Sequence, residues 1–317
     1  MLRAVFMGSD AFSVPVVQRL IDGGPTLSTP VAVVGVVTQP DRPVGRGRRV
    51  AIGPVKSLAS ERGIPVLQPE RLNDERAQIE LAGLRPDVLV VASYGQILPR
   101  SVLDMPARGA LNLHPSLLPR MRGPSPIIVT ILEGLQESGV TLMYMTARMD
   151  AGPIISQLDV YVPGDATGGW LTGFMAERSA DLLMRDLPAW LEGKLEPRAQ
   201  DEEDATYTKL IKKTDGDIDW RMEAADIERR VRAYNPWPWA YTWFGGRQLR
   251  IMRAEVVPGE AERGRVRIAA DGGVEVGTAR DVLRLLEVQL EGRRPVDGRS
   301  FVLGYPGVNG VVLGNGA

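Results

Sequence analysis

The run Val31-Ala32-Val33-Val34-Gly35-Val36-Val37 is apolar from end to end and mostly β-branched. Such side chains are stiff and favour extended backbone. A strand that is apolar at every position has to be covered on both faces. Residues 87–92, Asp-Val-Leu-Val-Val-Ala, repeat the pattern, and further apolar runs stand at 3–7, 110–113 and 139–145. Helix-like segments lie between them: 13–21, with Val14, Val17 and Leu20 at helical spacing, 54–62, with Pro54 near its start, and 75–84. Residues 65–67 read as one more short strand. Buried strands alternating with helices predict an α/β domain on a largely parallel sheet. Ligands in such sheets bind beyond the C-terminal ends of the strands. Gly8, Tyr94-Gly95 and His114 all fall at such ends.

The pattern changes after residue 191. Residues 168–191 read as a long helix with Met175, Leu182, Leu183 and Leu187 among its apolar positions, and Pro188 is expected to end or kink it early. The stretch 193–206, with Glu196-Pro197 and Asp201-Glu202-Glu203-Asp204, reads as a linker, the alternative being a charged loop inside one domain. Beyond it come a helix at 224–233 and short β-rich runs at 248–257, 266–269, 274–276 and 283–289. Short strands at regular spacing suggest a small barrel. The expectation is therefore a Rossmann-like domain over 1–192, a linker over 193–206 and an OB-like β-barrel domain over 207–317.

Composition narrows the chemistry. With no cysteine and one histidine, disulfides and thiolate sites are excluded and a structural zinc site is close to impossible. No metal is expected. No stretch approaches the roughly 20 apolar residues of a membrane span, and the apolar start at 1–7 is too short for a signal peptide. A cytoplasmic protein is expected. Nothing demands an oligomer, so the expectation is a monomer. Residues 208–317 carry 18 Lys and Arg against 15 Asp and Glu, which leaves 20 against 24 upstream. A mildly basic, arginine-rich second half permits a phosphate-bearing partner, and a solvated surface explains it equally well.

The one histidine sits in Asn112-Leu113-His114-Pro115-Ser116-Leu117-Leu118-Pro119. Histidine is the side chain whose ordinary titration lies between pH 5 and 8. Asn112 and His114 alternate onto one face of an extended segment. An amide N–H and an imidazole N–H side by side can both point at one oxygen, which is the geometry of an oxyanion site. Ser116 to Pro119 then form a turn whose backbone groups can meet a flat heterocycle. Asp150, in Met149-Asp150-Ala151-Gly152-Pro153, stands just past the 139–145 strand. By itself it reads as a turn-former. Near His114, its carboxylate would fix the imidazole tautomer and favour the charged ring. A lone histidine on a strand is otherwise more often structural.

The spacing Asn112-x-His114-x-Ser116-Leu117-Leu118-Pro119-x-x-x-Gly123, with Asp150 36 positions beyond the histidine, resembles the signature of the folate-dependent formyltransferases. The resemblance implies that Asn112, His114 and Asp150 are catalytic, that Ser116, Leu117, Leu118 and Pro119 belong to the folate site, and that 10-formyltetrahydrofolate is the formyl donor. Further segments resemble family members whose acceptor is methionyl initiator tRNA. These are Phe6-Met7-Gly8-Ser9, the loop 38–48, Ser93-Tyr94-Gly95-Gln96-Ile97-Leu98-Pro99, Tyr207-Thr208-Lys209-Leu210, Asp217-Ile218-Asp219-Trp220 and residues 232–238. Together they extend the resemblance over nearly the whole chain. The departures are Met121 where the family usually has an aromatic, Pro124-Ser125 in place of Ala-Ala, Gly8-Ser9-Asp10 in place of Gly-Thr-Pro, and Ala151 in place of Thr.

The loop 38–50 supports the same partner on its own residues. Arg42, Arg46, Arg48 and Arg49 lie among Pro43, Gly45 and Gly47. Arginine forks suit phosphates, and glycines allow close backbone approach. The alternative is a solvated basic loop. There is no Walker A run for a nucleotide and no Gly-x-Gly-x-x-Gly after the first strand for a dinucleotide. The aromatics of Asn235-Pro236-Trp237-Pro238-Trp239-Ala240-Tyr241 suit packing better than base stacking. The function expected is formyl transfer to the α-amine of methionyl initiator tRNA in translation initiation. Two alternatives stand: an N-formyltransferase acting on an amino sugar nucleotide, and a folate- and tRNA-binding protein without turnover.

Overall fold

The apolar runs at the start of the chain become the middle of one sheet. The structure is a computed structural model, and it describes residues 1–44 and 49–314. Its first strands are β1 (Leu2–Met7), β2 (Val31–Val37), β3 (Arg42–Val44), β4 (Arg49–Ala51), β5 (Val66–Leu67), β6 (Val88–Val91), β7 (Ala110–His114), β8 (Glu137–Tyr144) and β9 (Ile154–Tyr161). Seven of them form a sheet in the order β5-β2-β1-β6-β7-β8-β9. The pairs from β5 to β7 are parallel. The chain leaves β1 for β2 and β5 and then returns to β6 on the other side, so the strand order reverses at β1, where open sheets of this kind bind ligands. The centre is dry: Val5, Phe6, Val36, Val37, Leu89 and Val90 are fully buried, each side chain contributing about 1.5–3 kcal/mol by that burial.

The run at 139–145 does form a strand, but β8 is antiparallel to β7, and β9 is antiparallel to β8. No strand is expected from the sequence at β9. Its run Ile-Ile-Ser-Gln-Leu-Asp-Val-Tyr is neither wholly apolar nor cleanly alternating, so it carries neither of the two strand signals. The helices of this half are α1 (Ser13–Gly23), α2 (Pro54–Glu61), α3 (Glu75–Gly83), α4 (Arg100–Leu103), α5 (Pro126–Leu132) and α6 (Gly168–Leu191). α1 buries Val16, Val17 and Leu20. Pro188 does not end α6, which continues to Leu191. It stands near the C-terminus, where its carbonyl accepts from the Glu192 N–H at 3.0 Å.

The chain divides into two compact units. The first comprises 1–126, 137–161 and 172–208, and the second 127–136, 162–171 and 209–317. The second holds α7 (Ala224–Ala233), β10 (Ala240–Phe244), β11 (Arg247–Val257), β12 (Val266–Ile268), β13 (Val274–Gly277), β14 (Val282–Leu290), β15 (Val296–Asp297) and α8 (Gly298–Gly304). The short β-rich runs form an antiparallel sheet ordered β10-β11-β14-β13-β12, with β15 on β14. Its core includes Trp220, Ile227, Leu249, Ile251, Val288 and Phe301. The Trp220 indole N–H donates to Thr242 Oγ1 at 3.1 Å, which satisfies its one polar atom.

Candidate active site

β7 delivers Asn112 and His114 to the same face, as period-two geometry requires. Leu111 and Leu113 point into the core and are fully buried or nearly so. Asn112 lies between Val91 of β6 and Met143 of β8, and His114 lies opposite Thr141 of β8. Asn112 is half-buried, and its amide makes no hydrogen bond among the described residues.

The turn after β7 is tied down by two side chains from the antiparallel strands. Thr141 Oγ1 donates to Ser116 O at 2.7 Å and accepts from the Leu118 N–H at 3.1 Å. Gln157 Nε2 donates to Leu118 O at 2.9 Å and to Thr141 Oγ1 at 3.0 Å. The Thr141 hydroxyl thereby uses its one proton and both lone pairs. The Ser116 N–H donates to His114 O at 2.9 Å, and Ser116 Oγ donates to Arg120 O at 2.7 Å. From the sequence, the backbone of this turn is expected to meet a flat heterocycle. The N–H groups of Ser116 and Leu118 are instead engaged within the protein, so the turn offers a ligand its shape rather than those donors.

His114 is 5% exposed. Its Nε2 lies 3.0 Å from Met121 O. A carbonyl only accepts, so Nε2 carries the proton. Nδ1 lies 3.8 Å from Asp150 Oδ2, close enough for charge to matter and too far for a direct hydrogen bond. The tautomer is therefore fixed by the Met121 carbonyl, not by Asp150 as the sequence suggested. With Nε2–H spent on Met121, the N–H that the ring can present beside the Asn112 amide is that of a protonated Nδ1. The protonated ring is also the form complementary to the carboxylate.

Asp150 and Met121 have left-handed backbone, with φ of 48° and 59°. For a non-glycine residue this costs on the order of 1–3 kcal/mol and persists where the surroundings enforce it. An aspartate that merely made a turn would bond its own backbone two residues on. Asp150 Oδ2 instead accepts from the Gly123 N–H at 2.8 Å, 27 residues away. Gly123 has φ of 105°, and a Cβ there would lie 2.7 Å from Thr208 O. Gly152 is as constrained, since its Cβ would lie 1.8 Å from Tyr144 O.

The stretch 193–206, expected as a linker, lies within the first unit. Arg198 exchanges both backbone hydrogen bonds with Ile154 at 2.8 Å. Thr206 Oγ1 accepts from the Met121 N–H at 2.8 Å. Arg122 is fully buried. Its Nε donates to Gln200 Oε1 at 3.0 Å, and its two terminal nitrogens donate to Glu202 at 3.2 Å each. Burial opposes the Arg122 charge, but the Glu202 carboxylate and the Tyr207 hydroxyl hold it firmly protonated. The sequence assigns no role to Arg122, Thr141, Gln157, Gln200 or the Met121 carbonyl. None has a composition signal, because each acts through a tertiary contact.

Of the four arginines proposed for nucleic acid, Arg46 and Arg48 lie outside the described residues. Arg49 opens β4, and its backbone pairs with Val44 of β3. Arg42 opens β3, is exposed, and approaches Glu70 only to 3.9 Å. The base of this hairpin is pinned by Lys56, which pairs with Asp41 and donates to Gln68 Oε1 at 2.6 Å. Hydrogen bonds from Lys56 and Gln68 hold the Asp41 carboxyl below its ordinary range. Among the described residues there is no group of three His, Asp or Glu that could hold a metal ion, and no helix is long and apolar enough to cross a membrane.

The chain has recognisable kin. Residues 2–187 match the formyl transferase family, and residues 210–306 match the formyl transferase C-terminal domain. The chain belongs to the formyl transferases. A methionyl-tRNA formyltransferase from Chloroflexus aggregans is 46% identical over 96% of this chain and 97% of its own length. Among solved structures, an N-formyltransferase from Helicobacter canadensis, in complex with folinic acid and dTDP-3-aminofucose, aligns with a TM-score of 0.63 at 15% identity. It covers 90% of this chain and 99% of its own. A methionyl-tRNA formyltransferase from Clostridium thermocellum aligns with a TM-score of 0.57 at 14% identity, covering 94% of this chain and 100% of its own.

Proposed function

We propose that this chain transfers the formyl group of 10-formyltetrahydrofolate to the α-amino group of methionyl initiator tRNA, giving N-formylmethionyl-tRNA. The observation that carries the reading is the His114 site: a ring anchored at Nε2, a carboxylate beside Nδ1, and, on the same face of β7, an amide with no hydrogen bond among the described residues. The full-length kinship to methionyl-tRNA formyltransferases selects the acceptor.

The residues divide the work as follows. The free amine, with an ordinary pKa near ~8, attacks the formyl carbon once it has lost a proton. As the nitrogen–carbon bond forms, the formyl oxygen gains negative charge. The Asn112 amide and the Nδ1–H of protonated His114 donate to it. The carbon–N10 bond then breaks. The proton lost before attack goes to solvent; after attack the new nitrogen–carbon bond leaves a positively charged nitrogen, whose further proton passes by way of Asp150 to N10, the leaving nitrogen. No charge is created or lost overall. The Asn112 amide fits a carbonyl oxygen of the donor, and the 116–119 turn fits the donor's flat ring by shape.

Arg42, Arg46, Arg48 and Arg49 contact the phosphates of the tRNA acceptor end, and the enzyme works in the cytoplasm as a monomer. Asn112, His114, Asp150 and the turn all come from one unit of one chain, so no second copy is needed. The test offers the wild-type enzyme charged initiator tRNA, charged elongator tRNA and an amino sugar nucleotide. Formylation of initiator methionyl-tRNA alone is expected, with tRNA affinity falling as salt rises and the apparent KM for tRNA raised by Arg42→Ala. Preference for the sugar nucleotide would overturn the reading.

A further inference from the structure

Gln200 stands 50 residues from Asp150 in sequence, in the acidic stretch that reads as a linker. Its Nε2 donates to Asp150 O at 2.8 Å and to Gly152 O at 2.6 Å. Its Oε1 accepts from Arg122 Nε at 3.0 Å. The amide can sit only one way round, because the carbonyls only accept and the guanidinium only donates. Arg122 is in turn fixed on every side. Glu202 takes both terminal nitrogens, and Tyr207 Oη accepts at 3.1 Å. The Arg122 N–H donates to Thr206 O at 2.8 Å, and Arg122 O accepts from the Thr208 N–H at 2.7 Å.

The turn that Gln200 grips holds itself weakly. Within it, the Ala151 N–H reaches Arg148 O only at 3.4 Å, and Asp150 is left-handed. We propose that Gln200 is a positioning residue for Asp150. By fixing the carbonyls on either side of Ala151, it sets the Asp150 carboxylate 3.8 Å from His114 Nδ1, and Arg122 keeps Gln200 in place. This rests on reading His114 and Asp150 as reacting groups, and it adds that their spacing is set by a side chain outside the motif.

The single histidine makes the test direct, since an isotope-labelled imidazole gives resonances from His114 alone. Gln200→Glu keeps the length and the Arg122 partner but turns an acceptor toward two carbonyls. It should move the Nδ1 resonance in the direction that Asp150→Asn moves it. The double variant should go no further than Asp150→Asn alone. Turnover should fall about 10–100-fold, the scale of a small misplacement, with KM for both substrates within about threefold of wild type. Gln200→Met, which keeps length and volume and removes only polar atoms, is read the same way if the glutamate variant does not fold. An unmoved resonance, or a double variant that shifts by the sum of the two singles, overturns the proposal. The resonances need no substrate. Failure of the wild type to formylate methionyl-tRNA would overturn the function proposed above, while the resonances would still decide the role of Gln200.

Discussion

His114 is buried between a carbonyl that fixes one nitrogen and a carboxylate that faces the other. The pairing of His114 with Asp150 is implied by the family resemblance; on its own residues Asp150 reads as a turn-former. The Met121 carbonyl could not be anticipated, because nothing in a methionine codon position signals a left-handed backbone. Met121 was notable in the sequence for lacking an aromatic ring. In the structure the contribution that can be named is its main chain, so the side-chain departure leaves the anchor intact. Tyr94, at the end of β6, shows a different economy of polar groups. It is 2% exposed, its hydroxyl has no hydrogen-bond partner among the described residues, and burial pushes its pKa up to about 12. An unpartnered buried polar atom costs about 1–3 kcal/mol. Tyr94→Phe should therefore hold or raise the thermal midpoint. A fall of several degrees would mean that the hydroxyl has a partner.

The largely apolar strands were legible: β1, β2, β6 and β7 fall where the runs fall, although Arg3 stands in β1 and Asn112 and His114 in β7. The direction of β8 was not, since parallel and antiparallel strands share a composition. β10 was hidden behind Asn235-Pro236-Trp237-Pro238, where the prolines mask the strand that follows. The stretch 193–206 misled for a physical reason. Acidic residues suggest solvent, and Glu202 is indeed exposed, but it also pairs with the buried Arg122. Hydrogen bonds from Arg122 and then Arg148 hold the Glu202 carboxyl below its ordinary value. A carboxyl depressed in the folded state adds stability above its unfolded value, near about 4.3. That stability is lost as pH falls through the lower, folded value. Acidification below about pH 4 should thus loosen this stretch, while pH 6 to 8 should leave it unchanged. Amide exchange at Arg122 and Thr208, corrected for intrinsic rates, reads this directly. Protection that persists unchanged to about pH 2 would show that Glu202 does not hold the segment.

In the whole molecule, one sheet brings together groups that the sequence scatters. The reversal of strand order at β1 sets the ligand end of the sheet, β7 supplies the amide and the imidazole, and the turn beyond β8 supplies the carboxylate. The antiparallel pair β8 and β9 lends Thr141 and Gln157 to the turn that follows His114. The formyl transferase signature was readable because Asn112, His114 and the 116–119 turn stand in one short run, with Asp150 at a recognisable spacing beyond it. The supports at 198–208 were not, because they reach the site only through the fold. The central claim is that formyl transfer runs through the one imidazole of the chain. Single-turnover formylation of methionyl initiator tRNA by His114→Ala, beside wild type, tests it most directly. The account predicts a folded variant slowed by about 10²–10³, the usual loss for one oxyanion donor. Near-normal single-turnover rates would contradict it, since no second histidine exists to take over.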